Sequence, residues 1–338
     1  MTVAAVVGTG IWGTTFAQVL ADAGCEVTLR GRDAAVCRQI TDEHRNDAYT
    51  PGATLPETVR ATTDAAEALD GARLVAVAVP AQTARAVLAP MAGLLAPDAV
   101  VVSLMKGVEL VSDKRMSQVI GEALGLPDER VAVLSGPNLA PEIVRRQPTA
   151  TVVASASLDT AAGVARAVAS SYFRPYTSSD VVGVELCGAV KNVIAIAAGI
   201  AQGCGFGYNT LATIVTRGLA EIRRLGLALG ADTETFAGLA GTGDLMATCA
   251  SPKSRNHSLG VLLGQGLGLE AALAVIEGTA EGVKTCRPVA ELAASLGVEM
   301  PITDAVVKAL HEGMPIDELA PMLLTRPMRA EAEDVQLD

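Results

Sequence analysis

Val3-Ala4-Ala5-Val6-Val7-Gly8-Thr9-Gly10-Ile11-Trp12-Gly13 opens the chain and decides its fold. Five apolar residues in a row read as a strand buried on both faces, as in a parallel sheet. Thr14 to Ala23 follow, with Phe16, Ala17, Val19 and Leu20 at helical spacing. Strand, Gly-x-Gly-x-x-Gly and helix, in that order, form the dinucleotide-binding fingerprint in the context it requires. Gly8 permits the tight turn, Gly10 lets the backbone approach a pyrophosphate, and Gly13 lets helix and strand pack closely. Free N–H groups and the positive end of the helix dipole favour the phosphates. The plain alternative is an ordinary glycine-rich turn.

The second strand, Glu26-Val27-Thr28-Leu29-Arg30, runs into Gly31-Arg32-Asp33. NAD-selective sites place a carboxylate at this strand end to take the ribose hydroxyls. Here Arg30 and Arg32 flank the position, and a guanidinium matches a ribose 2′-phosphate in charge and fork geometry. The residues therefore favour NADPH, with Arg32 as the first candidate. Asp33 keeps NADH open, since one residue of register would put a carboxylate there. Arg32 as a solvated turn charge is the other reading.

A chain of 338 residues predicts two domains, each long enough for its own core. Half of the residues are hydrophobic but only 3% are aromatic, so Ala, Val, Leu and Ile must build that core. The net charge of −11 argues against nucleic acid and acidic membrane surfaces as partners. It also requires a local cluster of positive charge wherever an anion binds. No basic residue precedes Arg30, so no signal-peptide n-region is expected. No apolar run is read as approaching the roughly 18–20 residues of a membrane span, so no membrane insertion is expected. Six scattered cysteines without a Cys-x-x-Cys pair, and three histidines far apart, offer little to a metal and suit reduced thiols in the cytoplasm.

Further apolar runs follow at 74–79, 99–104, 131–134 and 150–154, with helical stretches between them. They predict an α/β, Rossmann-type doubly wound parallel sheet. Residues 172–177 read as a short strand near an edge, given Pro175. Past Ser178-Ser179-Asp180 only helical periodicity remains. A helix capped by Ser179 or Asp180 should run to about Ala201, and a second should span about Thr210 to Leu229. Shorter ones are expected near 233–239, 258–264, 269–276, 281–296, 303–312 and 315–323. The division is thus a dinucleotide-binding domain over 1–180, an all-α substrate and catalytic domain over 181–330, and an acidic tail over 331–338.

Lys191-Asn192 interrupts the apolar helix 184–198. A lysine there is costly unless its ammonium is partnered, and burial lowers its pKa toward proton transfer. Snorkelling to the helix surface is the alternative. Asp244 follows the glycine-rich Gly238-Leu239-Ala240-Gly241-Thr242-Gly243, with Thr248 one turn on; it reads as a site residue or as a helix N-cap. Ser254-Arg255-Asn256 offers three adjacent donors to an anion, or forms a solvated loop. Ser135-Gly136-Pro137-Asn138-Leu139-Ala140 and Lys106 lie at strand ends, where loops line the ligand crevice of open α/β sheets.

Glu185-Leu186-Cys187-Gly188-Ala189-Val190-Lys191-Asn192, Gly238 to Asp244, Thr248-Cys249, Ser254-Arg255-Asn256, Ser135-Gly136-Pro137 and Glu281-Gly282 together make a specific pattern. It resembles the bacterial-type NAD(P)-dependent glycerol-3-phosphate dehydrogenases, from the fingerprint to about Glu331. The resemblance implies reversible reduction of dihydroxyacetone phosphate to sn-glycerol 3-phosphate, feeding phospholipid synthesis. It makes Lys191 the proton donor and acceptor at the C2 oxygen, with Lys106 and Asp244 beside it. Lys106, Gly136, Asn138, Asn192, Asp244, Thr248, Ser254, Arg255 and Asn256 would bind substrate. The cofactor would meet Ile11, Trp12, Arg32, Tyr49, Lys106, Ala140, Arg255, Thr279 and Glu281, besides Gly8, Gly10 and Gly13. A homodimer is the expected assembly. Asn138-Leu139, Thr279-Ala280 and His257 depart from the commoner pattern. A 3-hydroxyacid dehydrogenase or ketopantoate reductase of the same build, which would not call for the triplet, is one rival. A non-catalytic dinucleotide sensor, with no need of Lys191, is the other.

Overall fold

The computed structural model describes residues 2–110, 112–276 and 278–324; the acidic tail over 331–338 lies outside them. Eight strands form one sheet: β1 Val3–Val7, β2 Glu26–Arg30, β3 Val59–Thr62, β4 Leu74–Val77, β5 Val100–Ser103, β6 Val131–Ser135, β7 Thr149–Ser155 and β8 Phe173–Ser178. Their order is β3-β2-β1-β4-β5-β6-β7-β8. The chain leaves β1 to one side and returns at β4 on the other. Between these two the order reverses, and ligands of such sheets bind in the crevice outside the carboxyl ends there. The glycine loop after β1 sits at that point.

β1 alternates between two cores. Ala4 and Val6 pack with Phe16 and Leu20 of the first helix, Ile11–Asp22. Ala5 and Val7 pack with Val75 and Val77 on the opposite face. A strand covered on both sides cannot carry polar residues, which is why it reads as an unbroken apolar run.

Two expectations about the sheet are corrected. β3 has no counterpart among the predicted strands: it is short and only Val59 in it is buried, so no apolar run announces it. The sheet is also not wholly parallel, because β7 runs antiparallel to β6. The connection between them holds only a four-residue helix, Ala140–Ile143. That is too little to cover a sheet face in a crossover. β8 closes the edge beside β7, and Pro175 is tolerated there because an edge strand need not donate on its open side.

Beyond Ser178 the described residues are helical. Asp180 caps the central helix Val181–Gly203 by accepting the Gly183 N–H at 2.8 Å. By length and mean hydropathy (1.8 over its best window) this helix could cross a membrane. The expectation that no such run exists overlooked it because Glu185, Lys191 and Asn192 break the sequence. It is instead the buried axis of the helical domain, packed on the helices Tyr208–Ala228, Asp244–Ala250, Arg255–Gly264 and Glu281–Ser295. Glycines on facing helices set its closest crossing. A Cβ on Gly199 would lie 2.1 Å from the His257 carbonyl oxygen, and one on Gly260 2.2 Å from that of Ile196. The backbones touch, so the helix bearing Lys191 and the helix bearing Arg255 cannot slide apart independently.

Candidate active site

The lysine inside the apolar helix is buried, 6% exposed, and partnered. Its Nζ donates to the Asp244 carboxylate and to Thr248 Oγ at 2.8 Å. Thr248 Oγ in turn donates to the Asp244 carbonyl at 2.6 Å, one turn back in the Asp244–Ala250 helix. Lys106 reaches the other carboxylate oxygen of Asp244 at 2.7 Å, and the Gly136 carbonyl at 3.4 Å. Two ammoniums and one carboxylate leave an excess positive charge, set where β5 and β6 end. Burial is the largest influence on Lys191 and lowers its pKa. The Asp244 carboxylate opposes this, and the like charge of Lys106 adds to it. Such an ammonium gives up its proton more readily than a solvated lysine and can stabilise an oxyanion facing it.

The approach of the two domains at this point depends on missing side chains. Gly188, one turn before Lys191, passes so close to β6 that a Cβ would sit 2.9 Å from Ser135 Oγ. Gly136 has φ +148°, a conformation that glycine adopts freely. Asn138 donates to Thr151 Oγ at 2.9 Å, while its Oδ1 and the Ser135 Oγ are buried without partners. Ala140 is buried at the start of the short helix that follows.

The triplet 254–256 is neither a plain loop nor three free donors. Ser254 caps the Arg255–Gly264 helix, its Oγ accepting the His257 N–H at 3.3 Å. The Asn256 side chain is spent inside: its amide donates to Asn192 Oδ1 at 3.0 Å and its oxygen accepts the Gly282 N–H at 2.9 Å. The residue after Lys191 is thus bonded to the residue after Arg255. Arg255 itself is exposed, facing the Gly278 backbone and the Glu281 carboxyl. Desolvation lowers the Arg255 pKa and raises that of Glu281, each opposed by the charge of the other. What this helix start can offer an anion is therefore the Arg255 guanidinium and first-turn backbone N–H groups. Thr279 is half-buried beside them. His257, one of the departures, is buried against Gln202 of the central helix, Nε2 to Oε1 3.0 Å.

At the other end of the crevice, Gly8 has φ +119° and its Cβ would fall 2.5 Å from the Ala78 carbonyl oxygen. A Cβ on Gly13 would lie 2.0 Å from the Gly8 oxygen, so helix and loop touch. Gly10, by contrast, faces open space, with nothing within 4 Å of its absent Cβ. The first helix has no side-chain cap, which leaves its first N–H groups to a ligand. This cradle fits a pyrophosphate. Ile11 and Trp12 form the first turn, with the Trp12 ring 5.8 Å from Phe16. Tyr49 and Arg32 are exposed, Arg32 just past the end of β2. Arg30 Nε is buried without a partner. Asp33 is committed elsewhere, capping the helix Ala34–Glu43 through the N–H groups of Ala35 (2.8 Å) and Val36 (3.4 Å).

Asn46 escaped the sequence reading. Wholly buried, it donates to the Thr9 carbonyl at 3.0 Å and to Thr14 Oγ at 2.8 Å, bracing the glycine loop from behind. Nothing in its sequence neighbourhood signals this beyond its place just ahead of Tyr49. Among the described residues no group of three His, Cys, Asp or Glu could hold a metal ion.

The family models for the N-terminal and C-terminal parts of NAD-dependent glycerol-3-phosphate dehydrogenase match residues 3–161 and 180–321. A glycerol-3-phosphate dehydrogenase [NAD(P)+] of Streptomyces griseus is 59% identical over 92% of both chains. Another, of Frankia casuarinae, is 55% identical over 96% of both. The crystal structure of glycerol-3-phosphate dehydrogenase from Coxiella burnetii superposes with a TM-score of 0.91 at 35% identity, covering 96% of this chain and 99% of that one. With the fold, the glycine cradle and the lysine–aspartate cluster, these matches establish that the chain belongs to the NAD-dependent glycerol-3-phosphate dehydrogenase family.

Proposed function

We propose that this chain reduces dihydroxyacetone phosphate to sn-glycerol 3-phosphate, reversibly, with NADPH preferred over NADH. The product is the backbone of phospholipids, and the setting is the cytoplasm. The observation that carries the reading is the buried Lys191 ammonium, shared between Asp244 and Thr248. When bound, the reduced nicotinamide supplies the hydride to C2. Lys191 donates the proton to the C2 oxygen, and Asp244 orients the ammonium. Lys106 adds positive charge against the developing alkoxide. Gly136, Asn138, Asn192 and Thr248 shape the pocket. Arg255 and the helix start capped by Ser254 hold the phosphate, which supplies binding energy remote from the reacting carbon.

Arg32 and the unpartnered Arg30 Nε support the NADPH preference, and Asp33 supports it by facing away into a helix cap. Tyr49, Ala140, Thr279 and Glu281 complete the cofactor contacts. The division falls at 180/181, two subunits associate, and the central helix serves as a core element rather than a membrane span.

The test is NADPH oxidation by the purified chain with dihydroxyacetone phosphate, dihydroxyacetone and ketopantoate in parallel. Dihydroxyacetone phosphate should be the best substrate by a wide margin. Preference for ketopantoate would make the chain a reductase of the related class. NADPH binding without turnover of any ketone would make it a sensor.

A further inference from the structure

Glu185 lies six residues ahead of Lys191 in the central helix, roughly 9 Å along its axis. Its side chain is only 7% exposed and crosses to the Rossmann domain. One carboxylate oxygen accepts the Ser117 N–H at 2.7 Å; the other accepts Ser117 Oγ and Arg115 Nη1, both at 2.5 Å. Ser117 belongs to the first turn of the helix Met116–Leu124. The helical domain thus places an anion on the N-terminus of a Rossmann-domain helix, where the dipole favours it.

The same stretch of chain carries Lys106. The described residues of the loop after β5, 106–110 and 112–115, are strapped down at several points. Gln82 holds it twice, donating to the Val108 carbonyl at 2.7 Å and accepting the Leu110 N–H at 3.0 Å. Arg85 pairs with Glu109 at 2.8 Å, and Val108 bridges Arg115. One end of this strap grips Asp244 through Lys106, and the other grips Glu185 through Arg115 and Ser117. Asp244 and Glu185 are joined in turn by Lys191 and its helix. The contacts close a ring: Lys106, Asp244, Lys191, central helix, Glu185, Arg115, loop, Lys106. Lys253 also crosses the boundary, to Glu142 at 3.0 Å, but both side chains are well exposed and such a pair contributes little.

We propose that Glu185 is a positioning residue for the reaction: its grip on Arg115 and Ser117 fixes the Lys191 helix against the cofactor-binding domain. The proton donor stands on one domain and the hydride donor on the other, so their alignment is an interdomain distance. The inference rests on Lys191 being the proton donor.

The test is a single-turnover measurement: the loss of reduced-nicotinamide absorbance with enzyme in excess and saturating dihydroxyacetone phosphate. Its amplitude is set by the limiting NADPH and its rate constant by the alignment, while Tm reports folding separately. In Glu185→Ala the rate constant should fall roughly 10- to 100-fold, the scale of a misplacement near 1 Å, with NADPH affinity unchanged. Glu185→Gln, which keeps an acceptor for Ser117, should lose less. An unchanged rate constant, whether or not Tm falls, would overturn the proposal. Should Glu185→Ala not fold, Glu185→Gln and Arg115→Met decide. Both are expected to slow the step, and the double variant no further than the worse single; wild-type rate constants in both would overturn it. Lys191→Ala, run alongside, separates the two readings. A fast Lys191→Ala removes the proton-donor assignment, whereas an inert Lys191→Ala beside an unaffected Glu185→Ala removes only the role of Glu185.

Discussion

The lysine centre and the binding rim are built on opposite plans. At the centre, Lys191, Asp244, Thr248 and Lys106 are bonded to one another, and the first three are buried. At the rim, Arg255 and Arg32 are exposed. Burying an unpaired charge is costly, so the charges that must exist before substrate arrives are paired internally. Those whose partner is the ligand itself stay near solvent. The reacting groups are therefore preorganised, whereas the binding groups gain their partners on association.

Removing the ammonium breaks the centre and leaves the rim untouched. Lys191→Ala should lower turnover by ~10²–10⁴-fold, the usual loss of a general acid. NADPH binding, followed by fluorescence titration, should be nearly that of the unmodified chain. A kcat close to the wild type would mean that the buried cluster is structural.

The rim variant Arg255→Ala should act on binding instead. KM for dihydroxyacetone phosphate should rise roughly 10- to 100-fold, the worth of a charge-assisted contact. Turnover of unphosphorylated dihydroxyacetone should change little. Equal losses on both substrates would assign Arg255 to the cofactor or to the Gly278 loop.

Arg32→Ala is a smaller perturbation because the side chain is exposed. NADPH affinity should fall about 10-fold and NADH affinity hardly at all, since only NADPH carries the 2′-phosphate. Equal weakening would show that Arg32 shapes the adenosine pocket without selecting, and would move selection to Arg30.

The mildest test is pH. Burial pulls the Lys191 pKa down from the ordinary lysine value. The acid form, present below that pKa, is the one that reduction needs. Ketone reduction should therefore fall as pH rises through a midpoint below the usual lysine range, and alcohol oxidation should rise through the same midpoint. A reduction rate flat into the normal lysine range would contradict the desolvated ammonium.

The first helix and its glycine loop were legible because local rules write them: an apolar run for a two-sided strand, two glycines where a Cβ would strike Ala78 or Gly8 with an open one between them, a helical period behind. A cap at Ser179 or Asp180, of which the structure uses Asp180, and most helices of the second half were legible for the same reason. Lys191 drew notice because a charge inside an apolar helix demands a partner. Which partner was not legible from the residues alone. Asp244 lies 53 residues from Lys191 and 138 from Lys106, and no local pattern reaches that far. The resemblance to a family suggested the grouping, and the fold supplied the geometry.

By itself the sequence determined the apolar strands, most of the helices of the second half, the cofactor cradle and the residue types fit for the chemistry, because backbone sterics and hydrophobic period act over a few residues. Tertiary structure alone decided which way β7 runs, that Asp33 caps a helix, that Asn256 is bonded inward to Asn192, and that Glu185 reaches Ser117. Each is a choice among partners for a polar group, or among paths for a short connection. Such choices are settled only when packing fixes which groups lie within hydrogen-bond distance and which remain in water.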